Sequence, residues 1–347
     1  MKKIICILVL IAMISPMNVS ATEISAPDAP YGAQEFMPEK DETFAQGLWH
    51  IIKKAIEKFE PSVAEALGIC LTIITVMIFL TFTQSMSAQT QRTAELAGVI
   101  ATSLIFLQSA KSMILLGAET VQDLTEYEKL FLPAITAAMA AQGYVTTSTA
   151  LYTGTAIFNT VLSGLISGVL IPILYVYICI CIANRAFNEK LLDSMSGFVK
   201  WLLTWGLKII LYVFTGYISI TGVIGGSADA TAVKTAKIAL SGVVPVVGSI
   251  ISDASEAVLV GAGVVKNSVG IYGLFAIISI YIGPFVQIGT HYLLLKGTSA
   301  VSSALGNKKC ALLLCDFTSG MGILLAMSGT LCLLLLISTV CFMKGAL

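Results

Sequence analysis

Six apolar runs, each of a length that crosses a bilayer, constrain this chain more than any motif in it: approximately Val63 to Phe82, Leu96 to Leu116, Ala156 to Ala183, Trp201 to Gly225, Val269 to Leu295 and Met321 to Phe342. A hydrocarbon core of about 30 Å needs about 20 consecutive apolar residues in a helix. Composition agrees, because 56% of residues are hydrophobic and only 12% are charged, with a mean hydropathy of +0.90, whereas soluble domains carry roughly 25% charge. The expected fold class is all-α, a multipass transmembrane helical bundle of about six spans. Lys and Arg number 20, Asp and Glu also 20, for a net charge of +0. No basic surface advertises a nucleic-acid partner.

The amino terminus has the form of a secretory signal: Lys2 and Lys3, an apolar core from Ile4 to Ile14, Pro16, and the small-residue pattern Val19-Ser20-Ala21. Cleavage after Ala21 is expected. The competing reading is an uncleaved first transmembrane helix, for which the run to Met17 is short. Thr22 to Asp41 contains Pro27, Pro30, Pro38 and several acids, the composition of an exposed linker. Thr43-Phe-Ala-Gln46 has capping-box form, and Phe44, Leu48, Ile51, Ile52, Ala55, Ile56 and Phe59 then recur at helical spacing up to Pro61. This N-terminal amphipathic helix suits the membrane surface, although the same stripe could dock on a partner. The chain therefore divides into a signal peptide (1–21), an exposed linker with an amphipathic helix (22–62) and a polytopic membrane domain (63–347).

Signal removal outside the membrane would put the new amino terminus outside, and an even number of crossings would return the carboxyl terminus there. The short inner connections would then hold Arg92, then Arg185, Lys190 and Lys200, then Lys296, Lys308 and Lys309. The outer connection from Gly117 to Gly154 carries Glu119, Asp123, Glu126 and Glu128 against Lys129, in keeping with the positive-inside rule. Lys234, Lys237 and Lys266 fall on the outer side and run against it. The inner stretch Asn184 to Lys200 carries Phe187, Leu191, Leu192, Met195 and Phe198 at helical spacing, a second interfacial helix ahead of the Trp201/Trp205 anchors.

Little here can do covalent chemistry. The only histidines are His50 and His291, and neither an H-E-x-x-H nor a G-x-S-x-G motif occurs. The eight cysteines form no C-x-x-C pair and read as small core residues. No enzyme activity, cofactor or metal is expected. Gln287 and His291 lie one helical turn apart on the fifth span, where an intramembrane ionisable group marks a functional site by default; a place in the headgroup layer near Lys296 explains His291 as well. Lys111 and Lys208 can snorkel, Asp316 reads as part of a turn between two apolar stretches, and Glu65 is the clear acid candidate within a span.

Gly164 and Gly168 in the third span, and Gly222 and Gly226 at the end of the fourth, have the spacing that lets membrane helices approach closely, within the chain or between copies in a homo-oligomer. Ser227 to Lys266 is too apolar for an ordinary loop and too interrupted to span a bilayer. Ser227 or Asp229 can cap a helix through Lys237, Pro245 breaks the next apolar piece, and Ser252 to Glu256 makes a polar tip before the Gly/Ala/Val strip from Ala257 to Val265. Two apolar limbs joined by a polar tip suggest a re-entrant helical hairpin, which needs protein or a water-filled cavity to cover its irregular backbone. Amphipathic helices floating at the outer surface are the alternative. Gly222, Gly226, Pro245, Gly248, Asp253, Glu256, Gly261 and Gly263 are the candidate pore or interface residues.

The run Thr215 to Gly222, then Gly226 to Ala230, then Ser241-Gly-Val-Val-Pro-Val-Val-Gly-Ser-Ile-Ile-Ser-Asp-Ala-Ser-Glu-Ala-Val-Leu-Val-Gly-Ala-Gly-Val-Val-Lys-Asn267 closely resembles stage III sporulation protein AE of endospore-forming bacteria. The remainder agrees in layout, with a signal-like start, an exposed arm and a multipass body. The resemblance implies a protein made in the mother cell and seated in the membrane around the engulfed forespore, its amino terminus toward the intermembrane space. It implies a channel or secretion-like complex with the other stage III A operon membrane proteins, meeting stage II sporulation protein Q directly or indirectly and supporting late forespore gene expression. It offers no catalytic residues to carry over. Outside this resemblance, an autonomous multipass solute permease is the alternative, since broken helices facing substrate are a transporter device; no clear second copy of the hairpin is visible. An intramembrane protease ranks last, for want of a catalytic constellation.

Overall fold

The computed structural model describes residues 26–39, 44–84, 88–187, 189–243 and 248–344, with the side chains of 31, 83–91, 218–266 and 344 outside that description. The expected signal peptide, Thr43 and Pro245 therefore lie outside the described residues. All regular structure among the described residues is helical. A one-turn helix, α1 (Tyr31–Gln34), precedes α2 (Phe44–Gln84), α3 (Ala88–Ala140), α4 (Val145–Leu165), a π-helical turn (Ile166–Leu170), α5 (Ile171–Phe187), α6 (Lys190–Val243), α7 (Gly248–Ala304) and α8 (Lys308–Lys344).

Six stretches are long and apolar enough to cross a membrane: Phe44–Phe82, Arg92–Ala140, Val145–Phe187, Lys190–Tyr217, Asn267–Ala304 and Lys308–Met343. Five of them contain one of the apolar runs read from the sequence and Lys190–Tyr217 holds most of the fourth, and the chain is a multipass helical membrane protein. The helices are much longer than those runs. α3, α6 and α7 have 53, 54 and 57 residues, about 80 Å or more at 1.5 Å per residue, so each extends well past a hydrocarbon core of about 30 Å.

This length corrects several expectations. The acidic stretch after Gly117 is not a loop: α3 carries it to Ala140, and the chain reverses in a tight turn at 141–144, where Gly143 takes φ 91°. A Cβ is disfavoured at that left-handed position, so glycine ends the helix. The separate interfacial helix expected at Asn184 to Lys200 is divided between the end of α5 and the start of α6, which continues through Trp201 without a break. Asp316 is not in a turn but inside α8. The amphipathic stripe before Pro61 is continuous with the first span in α2, and one edge of it packs inward: Ile51 and Ala55 are buried, and Phe44 stacks on Phe275 of α7 at 5.4 Å. Residues 26–37 are likewise not free linker, since Ala29, Ala33 and Phe36 are buried and Lys58 of α2 holds both the Glu35 carboxylate at 2.6 Å and the Phe36 ring face at 4.9 Å.

α8 is the hub. It pairs most extensively with α7 and also meets α3, α4, α5 and α6. Its inward side chains Leu313, Phe317, Met321, Leu324, Met327 and Leu331 are essentially inaccessible. Phe317 stacks on Phe106 of α3 at 3.8 Å. Lipid tails are as apolar as these side chains, so the association rests on packing rather than on escape from water. The turn before α8 is pinned by Asn307, whose side-chain amide donates to the Met77 carbonyl and to Thr81 Oγ1, both at 3.1 Å.

Candidate functional site

Polar side chains gather at one end of the bundle where α5, α6 and α8 converge. Arg185, in the last turn of α5, places its Nη2 2.8 Å from Asp316 Oδ2 and donates through Nε at 2.9 Å. Two guanidinium nitrogens thus converge on one carboxylate oxygen, a charge-assisted contact. Asp193 of α6 sits 3.9 Å from Arg185 and accepts from the Asn184 side-chain amide at 3.1 Å. Lys200 Nζ donates to Ser319 Oγ at 3.0 Å, one turn along α8 from Asp316. Sequence reading placed Asn184, Arg185, Asp193 and Lys200 in one inner connection and Asp316 in a distant turn, because nothing in their spacing shows that α8 begins as early as Lys308 and carries Asp316 alongside Arg185.

A second set of polar groups is buried among α3, α4 and α8. Glu128 of α3 and Asn159 of α4 are 4% and 0% exposed, with the Asn159 amide beside the carboxyl and both of its side-chain polar atoms without a hydrogen-bond partner. One turn before Asn159, the Thr155 hydroxyl bonds Ser338 of α8 at 2.5 Å. These groups sit where packing would favour apolar side chains, since a buried polar atom without a partner costs free energy. They were missed because Glu128 looks like one member of an acidic loop.

The sequence-derived candidates fall in three places. Gly222 and Gly226 lie in α6, and Gly248, Asp253, Glu256, Gly261 and Gly263 lie in α7. Ser227 to Lys266 is thus not set off from the spans. α6 runs straight through Ser227 and Asp229 to Val243, and the expected polar tip at Ser252 to Glu256 is inside α7. The connection between the two helices is at 244–247, outside the described residues. Gln287 and His291 are on α7, with Gln287 partly exposed at a cavity of about 380 Å³ shared with Glu65, Asp123 and Ser279. His291 is 3% exposed, so its ring packs against protein. Its Nδ1 is 2.9 Å from the Gln287 carbonyl oxygen; a carbonyl only accepts, so Nδ1 is the donor, and the buried Nε2 has no hydrogen-bond partner among the described residues.

Gly164 and Gly168 do not pack helices within the chain. Both are exposed, and a Cβ built at either would have nothing within 4 Å. Gly164 precedes the π-helical turn and Gly168 lies within it, where Pro172 has no N–H to offer and the backbone widens. The glycines that admit close neighbours are others: a Cβ at Gly154 would lie 1.9 Å from the Tyr217 ring, one at Gly273 2.1 Å from Phe131, and one at Gly270 2.3 Å from Met343. No spacing rule singles them out.

Among the described residues no group of histidine, cysteine and acidic side chains is arranged to hold a metal, and the described cysteines are free. The model of the family described as stage III sporulation protein AE matches residues 33–345, nearly the whole chain. The chain belongs to that family. A stage III sporulation protein AE of Bacillus subtilis (strain 168) is 24% identical over 204 residues, which are 58% of this chain and 51% of the relative. The match thus spans about half the length of that curated relative. No solved structure matches. A sporulation role for this member of the stage III sporulation protein AE family rests on these findings together with its six membrane-crossing helices.

Proposed function

We propose that the chain is an integral membrane subunit of a channel or secretion-like complex between mother cell and forespore, needed for endospore development and late forespore gene expression. The match to the stage III sporulation protein AE family over residues 33–345 carries this reading. Its partners on this reading are the other stage III A operon membrane proteins and, directly or indirectly, stage II sporulation protein Q. The protein sits in the mother-cell-derived membrane around the forespore with its amino terminus toward the intermembrane space, and no catalysis is assigned to it.

Within that role, residues 218–266 are the contact element. α6 runs on to Val243 and α7 starts at Gly248, so this element is built from the ends of two long helices, and we read those ends as the surface that meets partners. Gly222, Gly226, Pro245, Gly248, Asp253, Glu256, Gly261 and Gly263 lie on it.

A crosslink-resolved pull-down from sporulating cells tests the subunit reading, with operon partners expected on the 218–266 element. Solute uptake by the purified chain alone in liposomes would instead establish the permease. For orientation, Ala141→Cys in the turn after α3 and Ser303→Cys in the last turn of α7 are exposed positions at opposite ends of the bundle. In a background free of other thiols, outside reagent should label Ala141→Cys only, and labelling of Ser303→Cys alone would reverse the topology.

A further inference from the structure

α6 lies against α7 and α8 less extensively than those two lie against each other, and the seam keeps a groove of about 330 Å³. Lys200, Thr204, Leu207, Lys208 and Leu211 line it from α6. They recur at three- and four-residue steps, so a single stripe of the helix faces the groove. Ser319 and Tyr292 complete its polar surface, while Ile323 and Ala326 of α8 continue it as an apolar wall opposite Leu211.

The groove's own lining is positively charged, although the Lys200 charge also acts on Asp316 just outside it. No Asp or Glu lines it, and among the described residues neither Lys200 nor Lys208 has an ion-pair partner. The carboxylate nearest along α8, Asp316, is already engaged by Arg185 at 2.8 Å. Lys200 bonds only a neutral hydroxyl, that of Ser319. Lys208 lies about 12 Å farther along α6, inside the apolar stretch and beyond Trp201 and Trp205, whose exposed rings suit a headgroup layer. An ammonium at that depth is stable where its stem can reach an anion or the interface.

We propose that the groove binds one anionic glycerophospholipid. Its phosphate sits between the Lys200 and Lys208 ammonium groups, and one acyl chain lies along Leu207, Leu211, Ile323 and Ala326. Basic pockets between membrane helices take anionic headgroups in this manner. The lipid fills the seam that protein packing leaves open, so the docking of α6 against α7 and α8 depends on the headgroup supplied.

The test uses the full chain, purified in detergent and offered phosphatidylglycerol or phosphatidylcholine with matched acyl chains, with bound lipid read by native mass spectrometry. Phosphatidylglycerol should be retained preferentially and should raise the unfolding midpoint of the wild-type protein more than phosphatidylcholine does. Lys200→Ala and Lys208→Ala should each lower its retention about fivefold, and the double variant about 25-fold. Lys200→Arg/Lys208→Arg should keep it, and Lys111→Ala, on α3 outside the groove, should leave it unchanged. Equal retention and equal stabilisation by the two lipids would overturn the proposal. So would undiminished retention in a folded double alanine variant, or displacement of the lipid by inorganic phosphate at equal concentration, which would mark a site for free anions.

Discussion

The α7–α8 pair and the spanning part of α6 are both membrane helices, yet they are held by different means. About half of the apolar window is buried in α7 and 56% in α8, against 17% in α6. α7 and α8 meet through small residues and tyrosines: Gly322 takes the edge of Tyr292, and Tyr281 donates to the Leu325 carbonyl at 3.2 Å beside Gly329. α6 is fixed at points. Asp193 and Lys200 tie one end to α5 and α8, and Tyr217 donates to the Ala150 carbonyl of α4 at 2.9 Å at the other. Between them, Trp201, Trp205, Ile209, Tyr212 and Val213 face outward. In lipid an outward apolar face costs little, so burial reports which helices must pack rather than which are apolar.

The largest effect should come from the hub. Phe317→Ala empties a fully buried site stacked on Phe106 and should cost about 3–5 kcal/mol, read as a fall in unfolding midpoint or a loss of monodisperse protein. A change below about 1 kcal/mol would mean that α8 does not organise the bundle. The corresponding truncation on α6, Trp205→Ala, should leave stability within about 0.5 kcal/mol while weakening partner crosslinks if this face meets another subunit.

Next come the point fixings. Arg185→Met or Asp316→Leu alone strands a half-buried charge, at a cost of about 2–3 kcal/mol, whereas the double variant should recover most of it. A double variant as unstable as either single one would show that these residues act through something other than each other. The sequence showed both side chains but placed them in loops. What it made legible was the class, the six spans and the family, because these rest on composition, run length and a local signature. Pairings between helices depend on where each helix really ends. Here α3, α6 and α7 outrun their apolar cores, so hydropathy underestimated them, and the candidate hairpin proved continuous with two spans.

Glycines sharpen the same contrast at a smaller scale. Gly154→Ala pushes a methyl into the Tyr217 ring and should cost about 1–3 kcal/mol from overpacking, offset by up to about 1 kcal/mol of helix propensity. Gly164→Ala meets open space and should be neutral or stabilising by up to about 1 kcal/mol. Thermal unfolding of the two variants side by side checks this. If Gly164→Ala instead weakens self-association in crosslinking, the exposed Gly164/Gly168 face packs against a second copy.

The smallest effect belongs to the arm. Glu35 is held below the usual carboxylate range first by its hydrogen bond from Lys58 and then by the Lys58 charge. A carboxyl whose folded pKa is depressed contributes stability above its unfolded value, and that contribution disappears as pH falls through the lower folded value. Docking of residues 26–37 should therefore hold from neutral pH down to about the ordinary glutamate pKa near 4.3 and loosen only below it. The pair is solvent-exposed, so salt should weaken it and the shift should be slight. Protease protection of the arm, followed from pH 6 to pH 3, reads this directly. Lys58→Ala should give arm cleavage at pH 6 resembling wild type at low pH, since it removes both the ion pair and the cover over Phe36. Protection unchanged in Lys58→Ala would show that burial of Ala29, Ala33 and Phe36 alone secures the arm, bringing it closer to the packed α7–α8 pair than to α6.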